Sequence, residues 1–160
     1  LEANRLMSRP WVAWLSDMVD RLDASPARVA NVSLTAKTAS ISATAFDRAS
    51  KDAGMYRIGY FARITTAATT SSSLTVTMSG TNGGVAVSFA GSAMTANSTA
   101  TVQSGNVYLQ ADAATDIKYA TTYASSGDTA MVYSLWVTLE RVEGELMIWQ
   151  NAVESSYFSV

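Results

Sequence analysis

Between residues 55 and 66 the chain alternates without a break. Tyr56, Ile58, Tyr60, Ala62 and Ile64 fall on one side of an extended backbone, and Arg57, Phe61, Arg63 and Thr65 on the other. Successive side chains of a strand point to opposite faces, so this run predicts a strand with one core face and one wet face. Two more runs carry the same signature. Over residues 73–79, Thr75 and Thr77 separate Leu74, Val76 and Met78; over 131–142, Tyr133, Leu135, Val137 and Leu139 point inward and Ser134, Trp136, Thr138 and Glu140 outward. Fainter alternation adds strands over 30–36, 40–45, 85–90, 99–110 with a break near Gly105, and 116–124, making eight in all.

The turns fall where the chemistry permits positive backbone dihedrals. Gly80-Thr81-Asn82-Gly83-Gly84 lies between two alternating runs and is the strongest hairpin signal, followed by Asp52-Ala53-Gly54 and Ser125-Ser126-Gly127-Asp128. The Ser/Thr/Ala-rich stretches at 65–73 and 95–101 read as surface loops rather than linkers, given their length and their proximity to strong strands. Short strands at regular spacing, with no helical pattern between them, predict an all-β chain: an eight-stranded antiparallel sandwich of jelly-roll type.

Both ends depart from that pattern. Over residues 10–22, Trp11, Trp14, Leu15, Met18, Val19 and Leu22 recur at spacings of three and four, opposite Ser16, Asp17, Asp20 and Arg21, which predicts an amphipathic helix. Pro10 suits its first turn and Ser25-Pro26 its stop. So short a helix is marginal alone in water, and its apolar face needs cover from its own sandwich or from a neighbouring molecule. At the other end Glu143-Gly144-Glu145 breaks the last strand. Leu146, Met147, Ile148, Trp149, Val153, Tyr157, Phe158 and Val160 follow, an apolar patch that soluble monomers seldom leave bare. The expected division is a helical anchor over 1–28, a β-sandwich over 29–143 and an attachment tail over 144–160. The expected interface residues are Trp11, Trp14, Leu15, Met18, Leu22, Trp136, Leu146, Ile148, Trp149 and Phe158.

Composition narrows the chemistry sharply. The chain holds neither histidine nor cysteine. A Ser-His-Asp or Cys-His centre cannot be built, and thiolate metal sites and disulfides are excluded with it. Carboxylate chemistry and all-oxygen cation sites remain open. Asp112, Asp116 and Asp128 sit in or beside predicted turns, but no Asp-x-Asp-x-Asp-Gly loop occurs, so they read as solvated turn residues in preference to a calcium site or a glycosidase pair. Neither catalytic residues nor a cofactor nor a metal is expected, and the chain reads as a non-enzyme. Tyr56, Tyr60, Tyr119, Tyr123 and Tyr133 could stack on sugars, yet four of them alternate within two strands, the mark of core packing. Arg57 and Arg63 share the outer face with Glu140 and can pair with it across strands or across subunits.

The formal net charge is −2 and charged residues make up 15 % of the chain, against about a quarter in an ordinary globular domain. Phosphate backbones require clustered lysine and arginine, which this chain lacks, so no nucleic acid is expected as a partner. No apolar run reaches the roughly 18 residues that span a bilayer, and no membrane partner is expected either. No secretory signal is expected in the residues near Leu1, and Met7 is the expected native start, with residues 1–6 then a scar or an upstream misread.

Several segments resemble a group of small tailed-bacteriophage virion proteins. They are Gly54-Met55-Tyr56-Arg57-Ile58-Gly59-Tyr60-Phe61-Ala62-Arg63-Ile64-Thr65, Ser71-Ser72-Ser73-Leu74-Thr75-Val76-Thr77, Gly83-Gly84-Val85-Ala86, Ala100-Thr101-Val102-Gln103-Ser104-Gly105, Ile117-Lys118-Tyr119-Ala120-Thr121-Thr122-Tyr123-Ala124-Ser125 and Met131-Val132-Tyr133-Ser134-Leu135. The resemblance covers residues 11–141 and is one of pattern rather than of a catalytic signature. It implies a jelly-roll particle component, a homotrimer that cements or decorates the capsid by binding the major capsid protein or another virion protein. It would be made in the bacterial host's cytoplasm and reside on the virion. The alternative it implies is a head-fibre or tail-fibre adhesion module that binds a host glycan or receptor. Such a tip would carry aromatics on distal loops such as 80–84 or 125–128, which hold none. The tail from Leu146 departs from the pattern.

Overall fold

The computed structural model describes residues 27–48 and 51–142, which fall almost wholly within one compact unit, Arg28–Arg141. Among the described residues there are nine strands and no helix. They are β1 (Ala27–Lys37), β2 (Ile41–Ala45), β3 (Gly54–Thr66), β4 (Ser71–Asn82), β5 (Val85–Ala90), β6 (Met94–Thr95), β7 (Val102–Ala111), β8 (Lys118–Ser126) and β9 (Val132–Arg141). One sheet runs β1-β9-β3-β7 and the other β2-β8-β4-β5, with β6 beside β4. All of the β2–β9 ladders are antiparallel. With the short β6 set aside, this strand order is that of two interlocked Greek keys, the jelly roll. The expected helix at 10–22 and the tail after Glu143 lie outside the described residues.

Two expectations are corrected. The strands number nine rather than eight, because β6 pairs only Met94 with Leu74 and Thr95 with Ser73, too brief a contact to leave an alternating trace. The predicted break at Gly105 is absent, since β7 runs through it. Gly105 pairs with Tyr60 of β3, and a methyl group there would come within 2.7 Å of the Tyr60 ring. The glycine is therefore explained by close packing of an aromatic ring rather than by a kink.

The alternation of β3 and β9 resolves as the sequence implies. Ile58, Ile64, Leu135 and Leu139 point inward and are fully buried, opposite Leu74, Val76 and Met78 of the second sheet. Full burial of each such side chain stabilises by about 1.5–3 kcal/mol before ordering costs. Ile117 and Met131, just outside β8 and β9, are equally buried and close the ends of the same core. Tyr56, Tyr119 and Tyr133 belong to this core, while Tyr60 and Tyr123 are half-buried against it. One outer-face reading does not hold. Ser134 lies opposite Arg63 on the outer side of β9, yet it is buried rather than wet.

The β4–β5 hairpin turns on Gly83 and Gly84, at φ +59° and +76°, with Asn82 facing Val85. Two consecutive positive φ values match a tight turn to the right-handed twist of the strands, a geometry glycine adopts at little steric cost.

Candidate functional site

The outer face of the first sheet is laid out by register. Tyr108, Arg57 and Glu140 form one row across β7, β3 and β9; Asn106, Gly59 and Thr138 the next; Ser104, Phe61 and Trp136 the third. Glycine at the centre of the middle row leaves no side chain to fill the space above it. The result is an open hollow of about 470 Å³ above Gly59, walled by Phe61 and Trp136 and bordered by Ser104, Asn106 and Thr138. A methyl group at Gly59 would sit 3.0 Å from both Asn106 Oδ1 and Thr138 Oγ1, so the two oxygens converge over the glycine. The rings of Phe61 and Trp136 stand 5.6 Å apart and tilted by 44°. They are 41 % and 36 % exposed, a large apolar surface for the middle of a sheet.

The row above the hollow is neutralised internally. Arg57 donates through Nε to Glu140 Oε2 at 2.9 Å and through Nη2 to the same oxygen. Glu140, by hydrogen bond and by charge, raises the Arg57 pKa further above its ordinary value. The cross-strand pairing expected for Arg57 is thus made within one chain, whereas Arg63 faces Val102 and Ser134.

Two of the turn carboxylates hold the fold together, each through its own partners. Asp112 accepts from the Gly84 amide at 2.8 Å and the Gly83 amide at 2.9 Å, clamping the hairpin tip to the β7–β8 connection. Those bonds, Gly84's first, hold its carboxyl below the usual carboxylate range. Asp116 pairs with Lys51 at 2.6 Å and is lowered chiefly by that contact. Asp128 lies in the β8–β9 turn. Among the described residues no three acidic side chains come together.

A second exposed surface lies on the flank where β5 and β7 are the sheet edges. β7 packs beside β4, and Tyr60 fills the gap, its ring over Gly105 of β7 and its hydroxyl against Gly91 just beyond β5. Val85 is 64 % and Phe89 39 % exposed on β5, and Tyr108 and Val102 are exposed on β7. β5, Val-Ala-Val-Ser-Phe-Ala, contains no charge and no proline.

Of the expected interface residues, Trp136 falls on the outer face, beside the hollow. Trp11, Trp14, Leu15, Met18, Leu22, Leu146, Ile148, Trp149 and Phe158 lie outside the described residues. The hollow itself escaped the sequence reading. Its signal was Gly59 interrupting an otherwise bulky strand, which becomes a site only once β7 and β9 are placed on either side.

No protein-family model matches the chain, and neither does any curated protein. Among solved structures it is similar to the globular domain of zebrafish complement 1qA protein, at 14 % identity and a TM-score of 0.43, over 73 % of this chain and 99 % of that one. Nothing in these matches supports a bacteriophage origin.

Proposed function

We propose that the chain is a non-enzymatic structural module that works as a homotrimer, its sandwich flanks packed against neighbouring copies. The observation that carries this reading is the β5 edge. Among the described residues β5 pairs only with β4, an uncharged six-residue edge with Val85 and Phe89 exposed, the kind of surface that soluble proteins normally protect with lysine, proline, a bulge or a covering segment. Contact with another copy is the usual protection when those devices are missing, and closed symmetry the usual form. Tyr108 and Val102 are likewise exposed, on the outer side of the edge strand β7.

The finer role follows from the sequence resemblance alone: a cement or decoration protein on a phage capsid, attached to the major capsid protein or another virion protein. The absence of histidine and cysteine supports a role without catalysis. The deciding measurement is the mass in solution at micromolar concentration. Three times 17.0 kDa is expected, and a clean monomer would end the reading. Cryo-imaging of particles mixed with the protein tests the decoration role separately.

A further inference from the structure

We infer that the hollow above Gly59 is a binding site for a neutral pyranose sugar. Asn106, Thr138 and Ser104 ring the hollow, and none of their side chains makes a hydrogen bond among the described residues. Three unengaged polar groups beside two exposed rings form a mixed surface. A flat apolar partner would cover it badly, because burying those groups without partners is costly. A pyranose matches both halves: its C–H face rests on aromatic rings, whose faces are electron-rich, and its hydroxyls satisfy the amide and the two hydroxyl groups.

The dimensions and the charge agree with this assignment. About 470 Å³ lies within the range of about 300–1,000 Å³ typical of small-molecule sites. No charged side chain lines the hollow, and of the two guanidiniums in the rows flanking it, Arg57 is engaged by Glu140 and Arg63 lies beyond Phe61 outside the lining, so a neutral sugar fits better than an anionic one. Gly59 is the residue that makes the space. The site lies on the sheet face, away from the hairpin loops where an adhesive tip would ordinarily carry its aromatics, and it does not depend on the flank contact proposed above.

The test is NMR titration of the full chain with the methyl glycosides of glucose, galactose, mannose and N-acetylglucosamine. At least one should shift the Trp136 indole and the Asn106 side-chain amide in a saturable way. Gly59→Val, which fills the hollow, and Trp136→Ala, which removes a wall, should each weaken that binding by about tenfold or more, equivalent to about 1.4 kcal/mol. Gly59→Ala, gentler on the strand, should weaken it less, and circular dichroism should show all three variants folded. The inference is overturned if no glycoside gives saturable shifts, or if the shifts survive Gly59→Val in a folded protein. It is equally overturned if the hollow's resonances follow protein concentration and the Gly59→Val variant loses its oligomeric mass, since a second copy would then fill the space. A monomeric wild-type chain that still bound the glycoside would remove the trimer and leave the sugar site standing.

Discussion

The Tyr133 hydroxyl lies 2.7 Å from Thr121 Oγ1, a hydrogen bond that joins the two sheets inside the core. Tyr133 also donates to the Ala39 carbonyl at 2.9 Å, and Thr121 Oγ1 accepts from the Ile41 amide at 2.9 Å. With those two ends assigned, the direction of the middle bond follows. The Thr121 hydroxyl donates to Tyr133, and the chain Ile41, Thr121, Tyr133, Ala39 closes with every hydroxyl both giving and receiving. It pins the start of β2 to both sheets at once.

Tyr133→Phe is expected to destabilise the fold by about 1–3 kcal/mol, because the buried Thr121 hydroxyl is left without its acceptor, while the carbonyl of the exposed Ala39 can turn to water. Thr121→Val should cost a similar amount. Urea titrations of both single variants and the double variant should show costs that are not additive, as befits one shared network. Strict additivity would mean that the bonds act separately.

Burial pushes the Tyr133 phenol up, against a smaller opposing effect of the Thr121 hydrogen bond. A group whose acidity is weakened in the folded state contributes stability that is fully present below its unfolded value, near 10, and lost as the pH rises through its folded value. Thermal melts should therefore fall more steeply above pH 10 in the wild type than in Tyr133→Phe. Parallel alkaline curves for the two proteins would refute this.

Asp112 predicts the reverse dependence at the other end of the scale. Its carboxyl is held below the usual range by the Gly84 and Gly83 amides, so its contribution is present above about pH 4 and lost as the pH falls through the lowered folded value. Exchange of the Gly83 and Gly84 amides should quicken in acid, while amides in the middle of β3 stay protected. Asp112→Ala should show the quickened exchange already at neutral pH. Unchanged protection at the hairpin tip in that variant would show that the clamp is idle.

Leu135→Ala removes a fully buried side chain from the centre of β9 and should cost about 2–5 kcal/mol, read by chemical denaturation. The same change at Val102, which is exposed on the edge, should cost far less in a monomer. The contrast checks which side of each strand faces the core.

Val85→Lys places a charge on the bare edge of β5 and should reduce the solution mass towards 17.0 kDa while leaving the far-ultraviolet dichroism unchanged. A trimer that persists with this substitution, and also with Phe89→Lys, would move the contact away from the flank.

Much of this architecture could be read from the chain itself. Period-two alternation in β3, β4 and β9 assigned Ile58, Ile64, Leu74, Met78, Leu135 and Leu139 to the interior, because a strand's two faces are dictated locally by backbone geometry. Consecutive glycines at 83 and 84 announced the hairpin, since the positive dihedrals it needs are also a local demand. Absent histidine and cysteine bounded the chemistry before any fold was known. Tertiary structure decided whatever depended on which strands became neighbours. Asp112 reads as a solvated turn residue until the chain brings it to amides 28 and 29 positions away. Gly59 drew no reading from the sequence, and only when β7 and β9 set Asn106 and Thr138 on either side of it does the missing side chain become a hollow. Such pairings are set by the energy of the whole core rather than by any local pattern, which is why the strands were legible in the sequence and the site was not.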